Sequence, residues 1–440
     1  MPGAEGRALV LGAGASGLAA ARRLRRLGYE VEVLEAADRA GGVMRTVTRD
    51  GFRFELGPNA VQQNPELIEV CRDAGCDGGL RPASPAAKKR FLVDRGRLVA
   101  MPAGPPGILT TPLLSWRGKL RLVTEPWRRR GPGPTESVAD FLRRRLGQEA
   151  LVRIGDALAL GVYAGDPAEL AVGYAFPRLY ALEAEYGSLL KGLRARAAEG
   201  ARPPALLGFD GGLERLAACL AEGLTVHYGV KVRALERRGG DYRAVGEAGG
   251  EPFERTAGRV VVALPVTAAR EVLSPLGDVG VLGAIPHAPV AVVGLGFDRD
   301  AVAHPLDGFG CLAPHAAGRA ILGCLFSATL FPDAAPDGAV ALTVMVGGRR
   351  RPQPVELDAD RLVALVCDEL AELLGVSAPP RVSVTKPWHP GIPQPTAVLE
   401  RVRKTISRLE ADHPGVTVLG SWLRGVGVPE CLKSGWSLSS

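Results

Sequence analysis

The chain has 440 residues, 46% of them apolar and 23% charged, which is enough apolar surface for a large core and argues for two or three folded domains rather than a disordered chain. Its net charge of +7 favours anionic partners over cationic ones. The longest purely apolar stretches, such as Val260 to Leu264 and Val290 to Leu295, fall far short of the roughly 20 residues that span a bilayer.

In chain order, the first element is a buried parallel strand at Ala8-Leu9-Val10-Leu11, followed by a helix from Ser16 to Leu27 with Ala and Leu at helical spacing. Between them lies Gly12-Ala13-Gly14-Ala15-Ser16-Gly17. Gly12 permits the tight turn, Gly14 lets backbone approach a pyrophosphate, and Gly17 lets helix and strand pack closely, with the phosphates over the helix N-terminus. The second strand, Val31 to Leu34, ends at Glu35, 18 residues past Gly17 and near the position where an acid takes the ribose hydroxyls of a dinucleotide. A lone GxGxxG is a weak signal; the strand, the helix and the spaced acid together make it a dinucleotide site. Arg39-Ala40-Gly41-Gly42 then resembles the Arg-x-Gly-Gly doublet that follows the ribose acid in amine-oxidase-like flavoproteins, and that resemblance makes the dinucleotide FAD.

Phe52 to Pro58, a helix from about Pro65 to Ala74 and the strand-like Arg90 to Val93 come next. From Arg81 to Arg130 there are about a dozen Lys and Arg, including Lys88-Lys89-Arg90 and Arg128-Arg129-Arg130, against Asp94 and Glu125. The run reads as a solvated basic face, as a patch for an acidic membrane through Trp116, Trp127 and the apolar Ile108 to Leu114, or as an attractor for an anionic substrate. Nucleic acid is set aside because no recognition motif accompanies the charge.

Helices are expected at Ser137 to Leu146, opened by an N-cap-type Ser, at Glu149 to Leu160 and at Arg178 to Ala198. After Gly208-Phe-Asp-Gly211-Gly212, a helix to about Glu222 leads into Thr225 to Tyr228, Val230 to Arg233 and Arg259 to Pro265, a strand-rich stretch of the kind that completes a nucleotide-binding sheet. Strands at Val290 to Phe297, Ala320 to Phe326 and Leu342 to Val346, with a helix from Asp360 to Leu374, read as a second sheet domain. Val416 to Leu419 reads as a strand returning to the first sheet, which makes the nucleotide domain discontinuous. Gly425 to Leu432 reads as a glycine turn opening a helix, with Pro429 in its first turn. Aimed at a flavin pyrimidine edge, the free N–H groups of that helix would favour the anionic reduced flavin.

The seven cysteines (71, 76, 219, 311, 324, 367, 431) are odd in number and lack a CxxC pair, so buried thiols in a reducing compartment are expected. The six histidines show no ligand spacing, and no metal is assigned. The first strand begins at about residue 8, leaving no room for a signal peptide or presequence, so a cytoplasmic protein is expected. Neither a Ser/His/Asp arrangement nor a carboxylate pair stands out, and no catalytic side chain is assigned. Gly294-Leu-Gly296-Phe-Asp298 lacks the third glycine of a second nucleotide site, so electrons are expected to enter from substrate and leave to oxygen.

A further ordered set consists of Phe54 to Asn59, Arg90 to Val93 with Met101-Pro102, Arg145-Leu-Gly147, Gly161 to Asp166, Gly308 to Pro314, Phe331-Pro332, Val346-Gly-Gly348, Ile392-Pro-Gln394 and Gly425 to Cys431. On these motifs the chain resembles, almost end to end, the protoporphyrinogen oxidases, oxygen-dependent flavoenzymes late in haem synthesis. The resemblance implies an α/β (α+β) fold with three parts. They are a discontinuous Rossmann-like FAD-binding domain of the amine-oxidase/p-hydroxybenzoate-hydroxylase type at residues 1–87, 205–270 and 386–440, a mixed-sheet substrate domain at 88–102 and 271–385, and a helical, membrane-facing domain at 103–204. It implies FAD contacts at Gly12, Ala13, Gly14, Ala15, Ser16, Gly17, Glu35, Arg39, Gly42, Val43, Gly57, Pro58, Asn59, Ala60, Val232, Ser421, Val426, Gly427 and Val428. Implied substrate contacts are Arg90 against a propionate, Leu312, Leu325 and Met345 around the macrocycle, and Gly161 as a backbone contact.

The implied reaction is six-electron oxidation of protoporphyrinogen IX to protoporphyrin IX by molecular oxygen, in three two-electron steps that each release hydrogen peroxide. Coproporphyrinogen III oxidation to coproporphyrin III is the alternative; a flavoenzyme acting on an amine or carotenoid and a flavin-bound scaffold are the others. Implied partners are a porphyrinogen and oxygen, an anionic membrane bound peripherally, a chelatase receiving the product and a second copy in a homodimer. Three features depart from the family. Pro395 stands where relatives often carry Tyr, which removes an aromatic from the flavin-side wall; the helix after Cys431 is expected to be short; and Lys88 and Lys89 add charge suited to four propionates.

Overall fold

In the computed structural model the residues described are 6–102, 107–108, 110–200 and 204–439. The apolar run Arg7–Leu11 is the middle of five parallel strands in the order Thr225–His227, Glu30–Leu34, Arg7–Leu11, Arg259–Val262, Val416–Val418. Its side chains alternate between two cores, as a strand covered on both faces requires. Ala8 and Val10 pack with the helices Ala15–Arg26, Leu213–Ala221 and Val428–Trp436, whereas Leu9 and Leu11 pack with Val266–Leu273 and Val398–Asp412. The expected return of the chain occurs, with Val416 opposite Val260.

The strand Val230–Arg238 does not join this sheet as expected. It forms a separate antiparallel sheet with Asp241–Ala248 and Glu251–Ala257. Glycine pairs at Gly239-Gly240 and Gly249-Gly250, with φ of +62° at Gly239, +59° at Gly249 and +89° at Gly250, turn the chain back on itself twice and impose a meander.

A second sheet has seven strands in the order Val382–Pro393, His287–Asp298, Ala339–Gly347, Ile321–Phe326, Gly310–Leu312, Arg90–Asp94, Arg97–Ala100. Only the pairing of Gly310–Leu312 with Arg90–Asp94 is parallel among these described strands. One face carries Ala291, Val293, Leu295, Phe297, Cys324 and Val344 and is covered by the helix Ala359–Leu374. The opposite face bears the alternate residues, and Phe54 and Phe52 lie over its Gly294 and Gly296.

The expected helix Arg178 to Ala198 is two helices, Pro177–Tyr186 and Leu189–Ala198. Gly187 at φ +69° ends the first, and the Ser188 hydroxyl accepts the Lys191 N–H at 3.1 Å to cap the second. The stretch expected as one helix from Glu149 to Leu160 contains a π turn at Leu151–Gly155 before Asp156–Tyr163. Glu125, one of only two acids in the basic run, is fully buried and accepts the Leu189 N–H at 2.9 Å, and it lies 3.3 Å from the buried Arg145. The last helix, Val428–Trp436, is short but anchored. Trp436 Nε1 donates to Glu69 at 2.8 Å, Arg23 to the Leu438 carbonyl at 2.9 Å and Arg259 to the Ser439 carbonyl at 2.8 Å.

Candidate active site

The carboxyl ends of the parallel strands gather most of the residues expected at the cofactor. Gly12, at φ +99°, donates its N–H to the Leu34 carbonyl at 2.8 Å and leaves no space for a side chain, whose Cβ would stand 2.7 Å from the Ala263 carbonyl oxygen. A side chain at Gly17 would overlap the Gly12 carbonyl, so the helix Ala15–Arg26 can start against the turn only with glycine there. Gly14 faces open space. The Glu35 carboxylate accepts the Ala13 N–H at 2.6 Å through one oxygen and the Ala37 N–H at 2.8 Å through the other, which fixes it beside the turn as an acceptor for hydroxyls. Val230, whose N–H bonds to the Glu35 carbonyl at 2.9 Å, starts the strand that holds Val232 near the same end. Ser421 begins a short helix directly after the strand Val416–Val418. The final helix crosses the first one so closely that Gly435 abuts Ser16 and Ala20, with Ser434 Oγ 3.4 Å from Ser16 Oγ; Val426, Gly427 and Val428 form its entry.

The glycine doublet closes a second wall. Gly41 N–H donates to the Ala13 carbonyl at 2.8 Å, and a Cβ on Gly42 would stand 3.5 Å from Gly14 Cα. A side chain at Gly57 would overlap the Val43 carbonyl, which places Pro58, Asn59 and Ala60 next to that wall; Asn59 Nδ2 donates to the Gly57 carbonyl at 3.1 Å. Val43 is 57% exposed, an unusual position for an apolar side chain beside a glycine cradle and one that a ring system would cover. The Arg39 guanidinium, expected at the cofactor, donates to the carbonyls of Ala40 at 3.1 Å, Met44 at 2.9 Å and Gly42 at 2.9 Å. Its evident role is to shape the loop. A narrow glycine cradle, an oriented carboxylate and an uncovered apolar wall all fit FAD.

The register of the second sheet brings the expected substrate residues together. Leu312 lies opposite Gly323, Gly323 opposite Met345, Leu325 opposite both Gly310 and Thr343, and Gly310 opposite Arg90. Arg90, Leu312, Leu325 and Met345 therefore share one face, because paired residues point the same way. Gly161, on the helix Asp156–Tyr163, completes the group: a Cβ there would stand 3.0 Å from Leu312 Cδ1. The Arg90 guanidinium is exposed and lies over the Phe309 ring, 5.1 Å from its centre. In the sequence Phe309 stands out only as part of the motif Gly308 to Pro314 and not as a site residue, because a lone aromatic between glycines gives no periodic signal. Lys89 is paired with Asp307, so it does not add the free charge expected of it.

Two groups that lie within the motifs Phe54 to Asn59 and Ile392-Pro-Gln394 take on roles of their own that the sequence alone does not give them. Glu55 accepts the Leu213 N–H at 3.0 Å and the Thr46 hydroxyl at 2.8 Å, and burial pushes its carboxyl up to about 7. Gln394, 2% exposed, donates to the carbonyls of Tyr163 and Ile392 at 2.9 Å each, so it ties the helix of Gly161 to the end of the second sheet.

A dinucleotide cradle on a parallel sheet, joined to a second sheet with a half-open apolar face, defines a flavoprotein oxidoreductase. Sequence comparison agrees: the flavin containing amine oxidoreductase family matches residues 15–439. Protoporphyrinogen oxidase 2, chloroplastic/mitochondrial, of Arabidopsis thaliana is 30% identical over 98% of this chain and 92% of its own. Coproporphyrinogen III oxidase of Bacillus subtilis is 27% identical over 97% of this chain and 96% of its own. The crystal structure of a candidate protoporphyrinogen oxidase from Exiguobacterium sp. 255-15 superposes with a TM-score of 0.82 at 25% identity, covering 98% of this chain and 97% of that one. The chain belongs to the flavin-containing amine oxidoreductases and, within them, to the protoporphyrinogen oxidase family. It is an oxidoreductase whose cofactor is FAD.

Proposed function

We propose that the enzyme oxidises protoporphyrinogen IX to protoporphyrin IX with molecular oxygen, releasing hydrogen peroxide. The observation that carries this reading is the common face of Arg90, Leu312, Leu325 and Met345 with Gly161 set against it. Bound FAD supplies two-electron oxidation, three rounds of which remove six electrons and six protons, each round ending in transfer of the pair to oxygen. The protein's share is binding and orientation. Arg90, steadied by the Phe309 ring, pairs with a propionate through its planar fork. Leu312, Leu325 and Met345 give the macrocycle an apolar bed, and the backbone at Gly161, packed against Leu312, borders it. Glu35 takes the ribose hydroxyls of FAD, the turn Gly12 to Gly17 its phosphates, and Val232, Ser421 and Val426 to Val428 the rest of its edge. The expected boundary at 386 moves, because the strand Val382–Pro393 pairs with His287–Asp298 in the second sheet; in this reading residues 1–87, 205–270 and 394–440 form the FAD unit, 88–102 and 271–393 the substrate unit and 103–204 a helical unit.

The similarity to a coproporphyrinogen III oxidase supports coproporphyrinogen III as a second reading, for which the exposed Lys88 is the remaining charge. The same proposal includes peripheral association with anionic membrane in the cytoplasm, a homodimer and hand-over of product to a chelatase. Membrane association is supported by Trp116, Leu120, Val123 and Trp127, which are 68%, 55%, 56% and 78% exposed. Leu113 and Leu114, expected to share in it, are instead buried at 1% and 3%, and residues 103–106 and 109 lie outside the described residues. No described helix is long and apolar enough to cross a membrane. Peroxide stoichiometry tests the reaction: three hydrogen peroxide molecules per porphyrin are expected, and porphyrin without peroxide would exclude oxygen as the acceptor.

A further inference from the structure

The helix Leu213–Ala221 supports the cofactor loop at two points one turn apart. At the second point, a Cβ on Gly41 would stand 2.8 Å from Ala217 Cβ, so the loop rests directly on the helix. At the first, Glu214 Oε1 lies 3.5 Å from Arg39 Nε and 3.1 Å from Arg45 Nη1, while Oε2 accepts the Thr46 N–H at 2.8 Å. We propose that Glu214 is a positioning residue for FAD: it fixes Arg39, and through Arg39 the Gly41–Val43 loop that closes the cofactor cradle. The inference rests on FAD binding and not on which substrate is oxidised.

Arg39 is the link because its guanidinium gathers three loop carbonyls, of Ala40, Gly42 and Met44. A planar fork serves three carbonyls at once only if its own orientation is set, and the Glu214 carboxylate sets it from the remaining Nε edge. Both side chains are largely shielded, 23% and 26% exposed, so the pairing is less screened than a surface ion pair. The loop has little latitude, since Gly41 also donates to the Ala13 carbonyl of the dinucleotide turn. A shift of Gly42 is thus a shift of the wall facing Gly14.

The base of the helix is built to hold Glu214 in place. Thr46 Oγ1 accepts the Glu214 N–H at 3.1 Å and donates to Glu55 at 2.8 Å, and Glu55 accepts the N–H of Leu213. Gly212, at φ +99°, is confined by the same group, its would-be Cβ standing 2.8 Å from Glu55 Oε1. This gives Gly211-Gly212-Leu213-Glu214 a purpose beyond opening a helix.

The test is a titration of FAD-free protein with FAD, followed by quenching of flavin fluorescence, together with the melting temperature of the FAD-free form. Glu214→Ala should weaken FAD binding on the order of tenfold, and Arg39→Ala by a similar factor. The double variant should be no weaker than Arg39→Ala alone, because Glu214 acts through Arg39. Glu214→Gln, which keeps an acceptor for the Thr46 N–H, should show a smaller loss that also vanishes in the Arg39→Ala background, and it carries the test if Glu214→Ala does not fold. Losses that multiply in the double variants, or a lower melting temperature with unchanged FAD affinity, would overturn the proposal.

Discussion

Arg90 and Glu55 show how single residues carry different parts of the account. Arg90 is exposed and lacks a carboxylate partner among the described residues, so its replacement should leave folding intact and cost substrate binding. Arg90→Ala is expected to lower kcat/KM on the order of tenfold to a hundredfold, mainly through KM, with Arg90→Lys retaining part of it. Steady-state kinetics of the two variants, with their FAD content, decide this. Glu55 lies behind the cradle with its carboxyl raised from 4.5 to about 7 by burial. The folded protein then keeps a proton that the unfolded chain has already released. Stability is full below about pH 4.5 and falls as pH rises to about 7, by on the order of 3 kcal/mol. Denaturant melts from pH 5 to 8 should show this slope in the wild type and lose it in Glu55→Gln.

Among the elements, the helix Trp116–Val123 makes the sharpest prediction. Trp116, Leu120 and Val123 form one exposed stripe at helical spacing, Trp127 follows it, and Arg117 and Arg128 to Arg130 are exposed nearby. Co-sedimentation with vesicles should rise with the anionic lipid fraction and fall by severalfold in Trp116→Ala/Trp127→Ala. Binding unaffected by lipid charge would remove the membrane from the proposal. Elements whose signal is local were legible in the sequence: the strand, turn and helix around Gly12 to Gly17, the Ser137 cap and the glycine turn before Val428. The break at Gly187 was hidden by apolar periodicity continuing on both sides. The strands Asp241–Ala248 and Glu251–Ala257 were hidden because small, polar and charged residues leave them little hydrophobic alternation. Within the site, Arg39 was found by motif, but its hold on Gly42 and its dependence on Glu214 needed two distant segments to meet.

The whole molecule joins segments far apart in sequence at one place. The parallel sheet closes only when Val416–Val418 returns beside Arg259–Val262, and the helix after it lies on the helix that follows Gly12. A chain ending at His413 should therefore fail to retain FAD, which its absorbance after gel filtration would report. The second sheet, in turn, gathers Arg90, Leu312, Leu325 and Met345 from four strands onto one face. None of them is remarkable alone; their register makes them a site. The claim that a porphyrinogen binds there is tested most directly by aerobic turnover of the purified yellow protein with protoporphyrinogen IX, coproporphyrinogen III and a simple amine. Fluorescent porphyrin and hydrogen peroxide from protoporphyrinogen IX, with coproporphyrinogen III slower and the amine inert, are predicted. Peroxide from the amine with neither porphyrinogen oxidised would contradict the account.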